Sequence, residues 1–352
     1  MEEKVHYSTI NGIQVYDNED RYDEAVFSPY VSQAGVQGYL SYFVGRFIPF
    51  GKITILYLFY SSLLALVAIL IVRELAKKYN SVLAAVFFFV FWLSPWIVNY
   101  ARNLYWVEFT WFLPMFIGLM CVKQSNDKKR VLLCSVGMFG AVLLKSLCGY
   151  EFITTVMLGG ILFPLSEWVN ALLAGKINKN AFYRLLCWGA ELCGFLTALF
   201  LHSFIRGGGN FFTGFKIIFN QDILRRTLGG EAGNFDPVLA DSINATCMQV
   251  INKYFHFNTQ IIMGIDGKLF SILSFIPVLF FIWDWYKSQL KYKEVIFYLF
   301  TFVTSISWYI LGKSHSYVHT HLNFICWYFG FIQICLYLII MRLYSFLQKK
   351  IV

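Results

Sequence analysis

ITILYLFYSSLLALVAILIV, residues 53–72, runs for twenty positions without a charged side chain. At about 1.5 Å per residue, such a helix rises about 30 Å, the thickness of a bilayer's hydrocarbon core. Apolar runs of similar character follow at 81–99, 106–122, 131–147, 150–173, 183–205, 269–286, 294–311 and 322–341. With 52–72 they make nine predicted spans. They are continuous rather than alternating, which argues for helices and against a β-barrel. The expected fold class is all-α, a polytopic transmembrane helical bundle.

Composition agrees. The chain has 352 residues, of which 58% are hydrophobic and only 14% charged, too few to cover the surface of a soluble core. The net charge of +9 falls in small groups between apolar runs, not in a basic stripe with interleaved aromatics, so nucleic acid is not an expected partner. The eight cysteines form no CxxC and lie mostly in apolar runs, where they read as small buried hydrophobes.

The connections alternate in character. One set is basic and short: Arg73, Lys77 and Lys78; Lys123, Lys128, Lys129 and Arg130; Lys176, Lys179 and Arg184; Lys287, Lys291 and Lys293; Arg342, Lys349 and Lys350. The positive-inside rule puts these in the cytoplasm, C-terminus included. The other set faces outward: the first 50 residues, 100–105, 146–150, 206–268 and 312–321. The chain therefore reads as one membrane domain over 1–352. Residues 1–50 form an outer acidic loop and a juxtamembrane helix, 52–205 six spans, 206–268 an outer loop, 269–341 three spans and 342–352 a cytoplasmic tail. Within the outer loop, 211–226 and 238–256 read as amphipathic helices at the interface. Nothing apolar precedes residues 1–50 to carry them across, so a further transmembrane helix is expected upstream of the given start.

The chemistry-bearing residues gather on the outer side. Asp17, Glu19, Asp20, Asp23 and Glu24 stand just before a stretch, 36–50, that reads as an amphipathic helix on the membrane surface. A carboxylate there can serve as general base to an acceptor hydroxyl, and such a loop is also compatible with a divalent cation. A solvated acidic loop is the plainer alternative. Further charges sit at span ends: Arg102 and Glu108 beside Tyr105, Trp106 and Trp111; Lys145 and Glu151 flanking Tyr150; and Lys313, His315, His319 and His321. Such charges are costly near a bilayer unless paired or functional. Snorkelling explains Lys313 well and Lys145 fairly well, and Arg102 and Glu108, which are expected to lie near each other, less well. The pair His319 and His321 puts its rings on different sides of a helix and shows no third ligand, so no metal site is expected. Carboxylates facing cations suit transfer of a group from a phosphate leaving group.

On these residues the chain resembles the GT-C superfamily of membrane glycosyltransferases, which includes protein O-mannosyltransferases and the aminoarabinose transferases that modify lipid A. RYDEAVFSPY, with Asp23 and Glu24, matches the acidic motif of the first outer loop. Arg102 and Glu108 resemble the family's Arg-to-acid spacing, and Lys145 its Lys-Gly element, with Ser146 in place of Gly. The likeness covers about residues 15–165; beyond that it extends only to layout. The family's first helix has no counterpart within the sequence read and is expected upstream of it.

The resemblance implies sugar transfer from a polyprenyl-phosphate carrier to a surface polysaccharide or lipid acceptor, with inversion, at a bacterial plasma membrane. Asp23 inherits the role of base. Arg102, Lys145, His319 and Arg226 would hold phosphate, and Tyr105, Trp106 and Tyr150 would stack on sugar or line a lipid groove. Two rivals remain. Arg206, Arg225 and Arg226 in the long loop also suit an O-antigen-type polymerase or ligase. A flippase or transporter would place charges at mid-membrane; Glu167 and Asp284 come nearest to that but read as lying near the headgroups.

Overall fold

The computed structural model describes the backbone of residues 8–10, 13–15, 33–122, 128–176, 180–228, 231–234 and 239–351. A small antiparallel hairpin pairs β1 (Ser8–Ile10) with β2 (Ile13–Val15). The helices begin with α1 (Val36–Gly45), α2 (Lys52–Lys78), α3 (Ser81–Trp92), α4 (Pro95–Tyr100) and α5 (Phe109–Cys121). Then come α6 (Lys128–Cys148), α7 (Ile153–Leu173) and α8 (Asn180–Arg206). The long connection holds α9 (Phe211–Ile218), which runs into a π-helical segment, Phe219–Leu228. It continues with α10 (Ala240–Asn244), α11 (Cys247–Phe255) and the strand pair β3 (Gln260–Ile262) and β4 (Ile265–Asp266). The last helices are α12 (Gly267–Tyr286), α13 (Tyr292–Leu311), α14 (Lys313–Val318) and α15 (Phe331–Ile351).

The chain is thus an all-α polytopic bundle. Among the described residues seven helices (α2, α6, α7, α8, α12, α13 and α15) are long and apolar enough to cross a membrane. Two of the nine predicted spans fall short: α3 has 12 residues and α5 has 13. The reason for α3 is local. Pro95 has no N–H to continue the ladder, and Ser94 Oγ accepts from Ile97 N at 3.1 Å, so 81–99 breaks into α3 and α4. The two helices expected in the long connection are present as α9 with its π-helical extension and as α10 with α11.

Hydrogen bonds align the helix ends. Lys78 Nζ at the end of α2 donates to Leu119 O and Val122 O at the end of α5. Arg342 of α15 pairs with Asp284 of α12. These contacts belong to a lysine-rich end of the bundle. There Trp283, Trp285 and Tyr286 stand exposed beside Lys287, as in an interfacial aromatic belt. The opposite end carries α1, residues 101–108 and 149–152, the long connection and residues 312–322. On α1, Gln37 faces inward and donates to Tyr105 O at 2.9 Å, whereas Tyr39 and Phe43 face outward, as does Phe47 just past its end. A helix is thus present within 36–50, where an amphipathic one was expected, with Gln37 packed on protein and the aromatic side of the helix exposed.

Inside, α6 lies on α8, and α7 lies between α5 and α13. Small residues allow the close contacts, as they do where lipid supplies no hydrophobic drive between helices. A Cβ on Gly118 of α5 would sit 1.8 Å from Gly160 O of α7, and one on Gly194 of α8 would sit 2.5 Å from Phe139 O of α6.

The ninth predicted span, 322–341, is not one helix. Residues Asn323–Tyr328 form a 3-10 turn, Gly330 takes φ +110°, and only then does α15 begin. The break is wedged into the core: Phe329 stacks on Phe112 at 4.7 Å, and a Cβ on Gly330 would lie 2.9 Å from Thr301 Cγ2. Its carbonyls find partners in side chains. Tyr309 OH donates to Asn323 O at 2.9 Å, Gln333 Nε2 to Tyr328 O at 2.7 Å, and Tyr100 OH to His321 O at 3.2 Å.

Gly118→Ala tests the α5–α7 contact. Overpacking of this kind costs about 1–3 kcal/mol, so the variant is expected to melt at a lower temperature in detergent. An unchanged melting temperature would mean the two backbones do not touch.

Candidate functional site

Asp23 and Glu24, the predicted base and its neighbour, lie outside the described residues. The chain re-enters at Gln33, and Gly35 N donates to Leu147 O at 3.0 Å.

The end of α6 and the turn after it hold Lys145 and Glu151. Lys145 does not snorkel: it is 1% exposed, and its Nζ donates to Gly149 O at 2.5 Å. Glu151 is close enough to act electrostatically on Lys145, but no ion pair within 4.0 Å joins them. A Cβ on Gly149 would lie 2.3 Å from Glu151 Oε2 and 2.7 Å from Gln33 Oε1, so the ends of both side chains close over this glycine. Lys145 therefore braces the turn that carries Glu151.

Arg102 and Glu108 do not come together. Arg102 is exposed, whereas Glu108 is buried at the N-terminus of α5 with both carboxyl oxygens unpartnered. Burial pushes the Glu108 carboxyl well above the usual range, which favours its neutral acid. Trp106 packs edge-on to both Tyr100 and Tyr105, each at 5.3 Å, and Tyr105 remains partly exposed.

The densest charge lies across the bundle, at the end of α8 and on the π-helical segment. Asp222 Oδ2 accepts from Arg206 at 2.7 Å, and its other oxygen stands 3.5 Å from Arg226. Arg206 and Asp222 are both nearly buried, and Nε of Arg206 and of Arg226 has no acceptor. Two arginines thus face one carboxylate. Lys313 does not snorkel either; its Nζ donates to Ile243 O and Ala245 O, both at 2.6 Å, and so ties α14 to the end of α10.

The histidines converge through the extended backbone that follows α14. The rings of His315 and His319 are 4.5 Å apart, and those of His319 and His321 are 5.5 Å apart. Burial, reinforced by each other's charge and by Arg225 and Arg226, holds His315 well below its usual value and His319 down to about 4. Burial also lowers His321. At neutral pH these rings are uncharged hydrogen-bonding groups, and His319 Nδ1 has no partner. Among the described residues no group of three or more His, Cys, Asp or Glu is arranged to hold a metal ion.

Tyr150 joins the two regions. Its buried hydroxyl has no partner, its ring stacks on His202 at 5.6 Å, and Asp222 and Arg206 both act on it electrostatically. Sequence reading missed Asp222 and His202. The signal for Asp222 was available: it precedes Arg226 by four residues on a predicted helix.

Fold and composition define a multi-pass α-helical membrane protein. No protein family, no curated protein and no solved structure matches the chain.

Two outcomes check the site. Asp222→Asn strips the counter-charge from two buried arginines and is expected to cost about 3–5 kcal/mol, measured as a large fall in the melting temperature in detergent. For His319, the unfolded ring binds a proton near pH 6.5 but the folded ring only near 4. Its contribution to stability is therefore complete above about pH 6.5 and declines as pH falls towards 4. His319→Gln is expected to shrink the drop in melting temperature between pH 7.5 and 4.5; an unaltered drop would show that His319 is not held neutral.

Proposed function

We propose that this chain is an inverting glycosyltransferase that uses a polyprenyl-phosphate-linked sugar and acts on a surface polysaccharide or lipid acceptor at the end of the bundle opposite the lysine-rich one. The positive-inside rule makes that end non-cytoplasmic and leaves the C-terminus in the cytoplasm. Asp23 takes the proton of the acceptor hydroxyl. The hydroxyl oxygen attacks the anomeric carbon, the bond from that carbon to the phosphate oxygen breaks, and polyprenyl phosphate leaves with its charge increased.

The observation that carries this reading is the excess of buried cation around Asp222. Arg206 and Arg226 each keep an unused Nε–H, next to histidines held neutral. Such groups suit a phosphate whose charge grows as the sugar departs. The phosphate role accordingly moves from Lys145, whose amine is committed to Gly149 O, towards Arg206 and Arg226. Tyr150 and Trp106 remain candidates for the sugar or for the lipid groove, and exposed Arg102 for the acceptor side.

The same arginines favour a second reading, an O-antigen-type polymerase or ligase, in which the acidic loop has no part. One experiment separates the two. Membranes carrying the protein are given a labelled polyprenyl-phosphate-sugar, and donor loss is followed for wild type, Asp23→Asn and Arg226→Ala at matched expression. The transferase reading expects Asp23→Asn to lower turnover by about 10²-fold or more, the worth of a general base, and Arg226→Ala to lower it as well. Loss in Arg226→Ala alone would favour the polymerase or ligase. Donor consumed equally by all three would overturn both.

A further inference from the structure

Three thiols from three helices meet at the lysine-rich end. Cys121 is the last residue of α5, Cys134 lies near the start of α6 and Cys187 near the start of α8. Cys121 Sγ and Cys187 Sγ stand 3.4 Å apart, and Cys134 is within hydrogen-bonding reach of Cys121. Ile117, Met120 and Trp188 pack around them. Apolar packing is served as well by Ala or Val, so three touching sulfurs are the feature to explain.

Their surroundings carry charge. Ser135 Oγ lies 3.4 Å from Cys187 Sγ, and Lys78 and Arg130 both act electrostatically on Cys134. Lys78 is held there by its bonds to Leu119 O and Val122 O, beside Cys121. Positive charge at the sulfurs suits thiol oxidation, which is a reaction of the anionic sulfur. Access is narrow: Cys121 is 7% exposed, Cys134 3% and Cys187 2%. That excludes a protein oxidant and selects a small uncharged one. The backbone permits the bond. Disulfide sulfurs lie about 2.05 Å apart, so the gap must close by roughly 1.3 Å. Helix α5 ends at Cys121 and Val122 is already extended, at ψ 143°, so Cys121 can move without bending a helix.

We infer that Cys121 and Cys187 form a redox-responsive disulfide, with hydrogen peroxide as oxidant, that ties the end of α5 to the start of α8. The Cys121 sulfur attacks one peroxide oxygen, the O–O bond breaks, and water leaves as Cys121 becomes a sulfenic acid. The Cys187 sulfur then attacks the Cys121 sulfur, and the hydroxyl departs with the second thiol proton as another water. Two thiols are oxidised by two electrons, and one peroxide is reduced to two waters. The positive-inside rule puts this end in the cytoplasm, where thiols are kept reduced. The bond therefore forms under oxidative stress and is undone by thiols afterwards. The inference does not rest on the proposed transfer, which uses none of these residues.

The test uses the full chain in membranes exposed to hydrogen peroxide. Remaining thiols are alkylated, disulfides are reduced, and the thiols released are alkylated with a heavier reagent before the peptides are mapped. All eight cysteines are free at the outset. Peroxide is expected to place the heavy label on Cys121 and Cys187 alone. A digest kept unreduced is expected to hold their two peptides joined, and dithiothreitol to restore both thiols. Cys134→Ser is expected to keep the link; Cys187→Ser is expected to lose it. Melting temperatures of the untreated variants check their folding, and the wild-type map decides alone should a variant misfold. The proposal is overturned if peroxide leaves both thiols free. A bond from Cys121 to Cys134 in wild type, a link between two copies of the chain, or sulfinic acid at Cys121 with no link would overturn it equally.

Discussion

A peptide group with no partner is costly in a bilayer, where no water is at hand to bond it. Residues 319–330 test that constraint most severely, because they leave α-helical geometry and yet pass into the core. The structure meets it with side chains reaching in from other elements. Tyr100, Tyr309 and Gln333 donate to the carbonyls of His321, Asn323 and Tyr328. Those bonds hold α4, α13 and α15 to one irregular strand of chain, and so place the histidines that precede the break. Tyr254, stacked on Tyr309 at 3.9 Å, adds α11 to the same assembly.

Charge follows a similar economy of position. At the end bearing the histidines, cations are sequestered: Lys145 and Lys313 bond to backbone carbonyls, and Arg206 and Arg226 share Asp222. At the other end, Lys176 and Lys293 remain in solvent. Sequestered cations keep fixed positions and lose their mobile hydration, which strengthens their pull on an incoming anion. Exposed ones act mainly at the lipid surface and are screened by salt.

How much of this could be read from the chain alone differs by element. Long uninterrupted runs such as 53–72 announce helices, because bilayer thickness fixes both their length and their composition. The helix at α1 and the two helical stretches in the long connection were legible from a different signal, the periodic alternation of polar and apolar residues along one face. Hydropathy could not show that 81–99 and 322–341 break, since Leu93, Ser94 and Gly330 barely change an average. The punctuation lay in single residues: Ser94 before Pro95, and glycine at 330. The site was legible as a list of charged residues near one end, but not as a geometry. Spacing suggested Arg102 beside Glu108, yet exposure separates them. It set His319 and His321 on opposite sides of a helix, yet the helix ends first. The link through Tyr150 to His202 and Asp222 joins residues more than fifty positions apart, which no local pattern reveals.

The brevity of α3 has a consequence for the membrane itself. Twelve helical residues rise about 18 Å, and Phe88, Phe89 and Trp92 of this helix face outward to lipid. The surrounding hydrocarbon is about 30 Å thick. Helix α3 alone is therefore shorter than the hydrocarbon core. On that flank the chain continues through α4 after the break at Ser94 and Pro95, so the lipid there meets two short helices joined at a break and not one rod.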